Sequence, residues 1–333
     1  MLRDVHVLRK FFLYAALIIL SGCGGGGGGD SGSEADDDNS TGNNAETLYV
    51  PWPTEAYSVV VEPDVVYGQG EVNGGGEWKD LRLDLYKPDE WSPNPDKKFP
   101  LIVMVHGGSF RSGGKRADNL VTYATEYAER GWVVASITYR LTGDDPIPSN
   151  RMQSLYERIG GDFASVYNRT VVAAIEDLLV AIEFLQQRDD IYAPWTTVWG
   201  YSAGGISVLN GAYVLDDYNI ERPPIAGALS LAGHFGVNPV YTDETPFDDP
   251  AGSDPVLMLI HGDQDRTFEY STTINDLATA AALPIDYQPV PDTGHSVDLL
   301  NVNATTGVTL FQQSVDYMLS TIFAGYASGP VTD

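Results

Sequence analysis

The stretch Thr196-Thr197-Val198-Trp199-Gly200-Tyr201-Ser202-Ala203-Gly204-Gly205 decides how this chain is read. An apolar run that suits a buried strand ends in Gly-x-Ser-x-Gly, and a helix-compatible segment over 206–215 follows. Glycine on both sides of Ser202 lets a strand bend sharply into a helix without a Cβ clash, and leaves the serine oxygen exposed at the tip of the turn. Gly and Ser are common, so the pattern gains weight from its strand–turn–helix setting and from further segments upstream and downstream.

Working outward, apolar runs alternate with amphipathic ones. Strands are expected over 57–61, 81–86, 101–105, 133–138, 196–200, 225–231, 256–260 and 285–289. Residues 101–105 and 256–260 are continuously apolar, as strands covered on both faces must be. Helices are expected over 119–130, 170–187, 274–282 and 308–323; in the second, Val171, Ile175, Leu178, Ile182 and Leu185 recur at three- and four-residue steps. This alternation predicts an α/β fold: a mostly parallel central sheet of about eight strands with helices on both faces, in one domain spanning 48–333.

A serine hydroxyl is a poor nucleophile until a base takes its proton, and the base needs an orienting acid. Of the five histidines, His295 follows the last expected strand and precedes the final helix, so it is the expected base. His261 ends a strand and His234 follows one, which points to local packing or loop positions. Between serine and base, His261-Gly262-Asp263-Gln264-Asp265 offers two acids after a buried strand. Asp265 is preferred because it lies farther along the loop; Asp263 is expected to stabilise the turn. Upstream, His106-Gly107-Gly108-Ser109-Phe110 follows the strand over 101–105, and its turn frees backbone N–H groups to hold a tetrahedral oxyanion. Gly108 and Ser109, with Ala203 after the nucleophile, are the expected donors. His106, Phe110, Tyr201, His234 and Phe235 are candidates for the pocket wall, and residues 142–169 for its rim.

Taken together, Leu83-Asp84-Leu85-Tyr86-Lys87-Pro88, His106 to Phe110, Tyr139-Arg140-Leu141, Gly200 to Gly205, His261 to Asp265 and Gly294-His295 resemble the α/β-hydrolase superfamily, in particular bacterial carboxylesterases with a His-Gly-Gly-x motif, including acetyl and feruloyl esterase-like members. The resemblance spans roughly 81–323 and implies the α/β-hydrolase fold, acyl transfer by Ser202, Asp265 and His295, and no metal or organic cofactor. Ser109 stands where a third glycine is commoner, a change that keeps the backbone donor. The expected substrate is an ester, short-chain, carbohydrate-linked or polymeric. Two rival readings are a serine peptidase resembling prolyl oligopeptidase catalytic domains, and a non-catalytic binding protein derived from an esterase.

Composition narrows the partners. The formal net charge is −27, with 46 acidic residues against 19 Lys and Arg, so a phosphate backbone finds no basic face and nucleic acid is excluded as a partner. At the N-terminus Arg3, Arg9 and Lys10 precede ten apolar residues over 11–20. As a helix that run rises about 15 Å, about half a bilayer core, so residues 1–22 read as an export signal. Leu20-Ser21-Gly22-Cys23 resembles the lipobox of bacterial lipoproteins, which implies lipidation of the single cysteine, Cys23, and a membrane anchor. In a Gram-negative bacterium this resemblance, with Gly24 and not Asp after the cysteine, implies the outer membrane, facing periplasm or exterior. Residues 23–47, rich in Gly, Asp, Ser and Asn, read as a flexible tether; Asp36-Asp37-Asp38-Asn39 lacks the spacing of a calcium loop.

Overall fold

Strand β4 (Lys97–Val105) shows how the sequence divides the core. Leu101, Val103 and Val105 join one buried cluster, while Ile102 and Met104 join a second cluster across the sheet. Successive side chains of a strand point to opposite faces, so a run apolar at every position needs cover on both. In this computed structural model, which describes residues 47–89, 97–117, 119–158, 165–235, 246–248 and 253–332, that cover is helical. Helices α3 (Val166–Gln186), α4 (Ala203–Tyr213) and α5 (Phe268–Ala280) contribute to the first cluster. Helices α1 (Leu120–Ala128) and α6 (Leu310–Thr321) contribute to the second. The short α2 (Gln153–Arg158) precedes α3.

Around β4 the sheet continues through β2 (Val59–Val72), β3 (Glu77–Pro88), β5 (Val133–Ile137), β6 (Ile191–Tyr201), β7 (Gly227–Leu231), β8 (Val256–Gly262) and β9 (Ile285–Val290). Their order is β2-β3-β5-β4-β6-β7-β8-β9. The pairs β2/β3 and β3/β5 are antiparallel, and the pairs from β5/β4 to β8/β9 are parallel. The eight strands on this path match the expected sheet. Two short strands add to it: β1 (Thr47–Val50) pairs with β4 and with β10 (Gly329–Thr332).

Several boundaries differ from expectation, each for a physical reason. The strand expected over 57–61 runs on to Val72 and returns as β3 through Asn73-Gly74-Gly75-Gly76. As an edge strand, β2 is largely exposed, and Glu62-Pro63-Asp64 and Gln69 interrupt its apolar residues, so no continuous run extends beyond Val61. Helix α3 starts at Val166, four residues early, because the Ser165 side chain accepts a hydrogen bond from the Asn168 N–H and caps it. Helix α5 begins at Phe268, six residues before the expected start, because its first turns, carrying exposed Glu269 and Tyr270, show no helical apolar spacing in the sequence.

Two motif residues act as anchors. The Asp84 carboxylate is buried and accepts from Arg116 at 2.5 and 3.1 Å and from the Asp64 N–H at 2.9 Å. Arg140, 2% exposed, donates to Asp177 and Glu176 on α3 and to the Ile147 carbonyl. A buried guanidinium is tolerated only when its charge and N–H groups are met in this way. The pair ties the chain after β5 to the middle of α3.

Candidate active site

The turn from β6 into α4 is built by close approach. A Cβ on Gly200 would lie 2.2 Å from the Gly204 carbonyl oxygen, and one on Gly204 would lie 2.0 Å from that of Val105. Only glycine fits at either position, and the squeeze leaves Ser202 at φ 53° and ψ −113°. A non-glycine residue held in such a region costs on the order of 1–3 kcal/mol and persists only where its surroundings fix it. The Ser202 N–H donates to the Leu231 carbonyl at 2.8 Å, and the Ser202 carbonyl accepts from the Ile206 N–H at 2.9 Å.

Two loops at the same end of the sheet meet this serine. His295, from the loop after β9, has Nε2 2.8 Å from Ser202 Oγ. Its Nδ1 lies 2.5 Å from Asp265 Oδ2, in the loop after β8. With Asp265 ionised, Nδ1 carries the proton and Nε2 is free to accept the serine proton. The loops are tied together: the Gln264 N–H donates to the Thr293 carbonyl at 2.9 Å, and the Asp263 N–H to that of Val290 at 3.0 Å. Burial alone would raise the Asp265 pKa, but hydrogen bonds from the Thr267 N–H, His295 and the Thr267 hydroxyl outweigh it and hold the carboxyl below its ordinary value. Asp263 contributes its backbone to the turn, and among the described residues its side chain accepts only from neighbouring Gln264 at 3.2 Å.

His261 has more than a packing place. It is fully buried, with Nε2 3.0 Å from the same Asp265 oxygen that holds His295. Its Nδ1 is buried without a hydrogen-bond partner. The neutral tautomer with the proton on Nε2 fits this setting, donating to Asp265 and leaving Nδ1 bare. Burial lowers the His261 pKa despite the nearby carboxylate. A histidine four residues before the acid, at a strand end, was the one sequence signal for this contact.

Gly108 forms the bend of the His-Gly-Gly turn at φ 107°, where a Cβ would meet the Ser112 carbonyl oxygen at 2.1 Å. Ser109 and Phe110 follow with φ 54° and 60°. The turn is pinned by the Thr142 N–H and hydroxyl, both donating to the Phe110 carbonyl at 2.8 Å. Ser109 and Ala203 line the same cavity as Ser202; Gly108 is not on its wall. The Ala203 N–H opens α4, where no carbonyl lies one turn back to receive it.

Sheet order, nucleophile turn and the two loops define the architecture. The chain has the α/β-hydrolase fold. Residues 83–153 match the BD-FAE family. Among solved structures, the esterase Est2 of Thermogutta terrifontis with bound propionate superposes with a TM-score of 0.56 at 19% identity, covering 82% of this chain and 97% of that one. Gut esterase 1 of Caenorhabditis elegans is 25% identical over 46% of this chain and 24% of its own length. Esterase LipQ of Mycobacterium tuberculosis is 21% identical over 83% of this chain and 65% of its own. The chain thus spans less than two thirds of the curated relatives it matches.

On this hydrolase fold the cavity at Ser202 has a volume of about 520 Å³. Phe110, Tyr167, Ile206 and Ala232 give it apolar wall, and His234, Gln264, Arg266 and Thr267 give it polar wall. Of the residues expected at the pocket wall, Phe110 and His234 line this cavity. His234 is held neutral: burial, then the neighbouring His261, pushes its pKa down to about 4. Three expected pocket residues lie elsewhere. The His106 ring turns into the core and stacks on Tyr139 at 4.2 Å. Phe235 is fully buried against Phe247, since it follows the strand end inward. Tyr201 donates to the His295 carbonyl at 3.3 Å and lines a separate depression of about 250 Å³ with Tyr123 and Trp199. Of the described residues in 142–169, Tyr167 reaches the cavity, while Met152, Leu155 and Tyr156 are core. Phe163 and Cys23 lie outside the described residues.

Proposed function

We propose that this chain is a serine carboxylic ester hydrolase. The observation that carries the reading is the continuous relay Ser202 Oγ–His295 Nε2–Asp265, beside Ser109 and Ala203 on the wall of the same cavity. In the proposed reaction Ser202 Oγ attacks the ester carbonyl carbon while His295 Nε2 takes the hydroxyl proton. The Ser109 and Ala203 amides face the developing oxyanion, a contribution of about 2.7–4 kcal/mol per donor where such donors have been removed. Collapse breaks the bond to the alcohol, which leaves with the proton from His295. Water, deprotonated by the same nitrogen, then hydrolyses the acyl-Ser202 ester and restores the hydroxyl. Asp265 fixes the His295 tautomer and steadies the imidazolium throughout.

The open cavity with its limited apolar wall favours short acyl chains over long ones, and esters of sugars or polymers remain within its reach. Export through residues 1–22 and lipidation of Cys23 belong to the same proposal, because extracytoplasmic polymeric esters need an enzyme placed outside; residues 1–46 lie outside the described part of the chain. The test is hydrolysis of p-nitrophenyl esters from acetate to palmitate, with Ser202→Ala as control. Turnover that peaks at short chains and vanishes in the variant supports the reading. No turnover on any ester, with cleavage of peptide substrates instead, contradicts it.

A further inference from the structure

Arg266 lines the cavity one residue beyond the acid of the relay, exposed and with neither ion pair nor hydrogen bond to another described residue. That is unusual in this chain. Seven other arginines, among them Arg82 with Asp80 and Arg188 with Asp190, each pair with a carboxylate. With 46 acidic residues against 19 basic ones, partners are abundant everywhere else. A second arginine stands behind one lining residue without lining the cavity itself. The Arg111 guanidinium lies over the ring of Tyr167, 5.8 Å from its centroid, and Tyr167 lines the cavity. Among the described residues that line the cavity the one acid is Asp265, which already accepts from His261, His295 and Thr267. Among the described lining residues Arg266 is thus a cation without a carboxylate partner, on a molecule whose net charge is −27.

We propose that the cavity selects esters that also carry a carboxylate, bound by Arg266 with Arg111 as the outer cation. The inference rests on the ester-hydrolase reading. A planar carboxylate is the natural partner of a guanidinium fork, and a free arginine on a cavity wall leaves both of its donor edges open for one. Arg266 acts here as a specificity residue; the chemistry stays with Ser202 and His295.

The experiment compares substrates that differ only in whether the carboxylate is capped. The alcohol-side pair is 4-acetoxybenzoate and its methyl ester; the acyl-side pair is monoethyl and diethyl adipate. For Arg266→Gln we expect kcat/KM on the preferred anionic substrate to fall about tenfold, through KM, with its neutral partner changed less than about twofold. Arg266→Lys should recover part of the loss, and added salt should erode the wild-type preference. An anionic-to-neutral ratio unchanged by Arg266→Gln overturns the proposal. Should no ester be turned over at all, the hydrolase reading fails, and calorimetric titration of 4-acetoxybenzoate and monoethyl adipate into Ser202→Ala and Ser202→Ala/Arg266→Gln still decides the anion site. Binding lost with the arginine supports it, and equal affinity or no binding in both overturns it.

Discussion

Asp265 and Arg266 are neighbours in the chain and opposites in the structure. The Asp265 carboxylate accepts from His261, from His295 and twice from Thr267, and is buried, whereas the Arg266 side chain is exposed and meets no carboxylate among the described residues. The same contrast runs along the two sides of the cavity. Ser202 and His295 are held by strand ends and loop-to-loop backbone bonds; Tyr167 and Arg266 present exposed side chains at the cavity. Preorganised groups suit chemistry that must be the same at every turnover, and unpaired ones suit recognition.

The contrast can be broken most severely at the fixed side. Ser202→Ala should lower kcat by at least about 10⁴-fold with an unchanged circular dichroism spectrum, because the relay then has no nucleophile. A comparable loss is expected for Asp265→Asn, which puts His295 in the wrong tautomer, while Asp263→Asn should stay within about threefold. Equal losses in the two would show that the turn, and not the carboxylate, matters.

His261 sharpens the comparison. In His261→Phe one donor to Asp265 disappears, and kcat should fall about tenfold with little change in KM. Because Asp265 then concentrates its charge on His295, the acid limb of the kcat/KM profile should move to higher pH. His261→Gln, which can restore an N–H to Asp265, should recover much of both effects. A loss of thermal stability with an unmoved pH profile would reduce His261 to packing.

The smallest effect concerns stability. His234 titrates near 4 when folded and near its ordinary 6.5 when unfolded, so below pH 6.5 the unfolded chain binds the extra proton. Its contribution is fully present above 6.5 and is lost as pH falls from there to about 4. Asp265, also depressed, loses its contribution only lower still, as pH drops through and below the ordinary carboxylate value. Urea unfolding of wild type and His234→Gln between pH 7 and pH 4 should show a shallower decline in the variant; parallel declines would remove His234 as the cause.

How much of this was legible in the sequence differs from one side to the other. The nucleophile turn, the acid loop and the base loop each leave a local trace, a glycine pair or an acid after a buried strand, because each must fit a fixed backbone. Apolar runs such as 101–105 marked the inner strands for the same reason, while the exposed edge strand β2 was marked only at its start, by Val59-Val60-Val61. His106 and Phe235 adjoin functional positions in sequence, yet their side chains turn into the core, a choice set by neighbours such as Tyr139 and Phe247. Arg266 had no legible signal at all: lacking a partner is a tertiary fact, and one arginine in a loop resembles another.

The central claim, that Ser202 is the activated nucleophile of this site, is tested most directly by stoichiometric labelling. Incubation with diethyl p-nitrophenyl phosphate should release one equivalent of nitrophenolate and leave a single diethylphosphoryl group, mapped by peptide mass spectrometry to Ser202 and absent in Ser202→Ala. Labelling at another residue, or none under conditions where the protein is folded, would contradict the account.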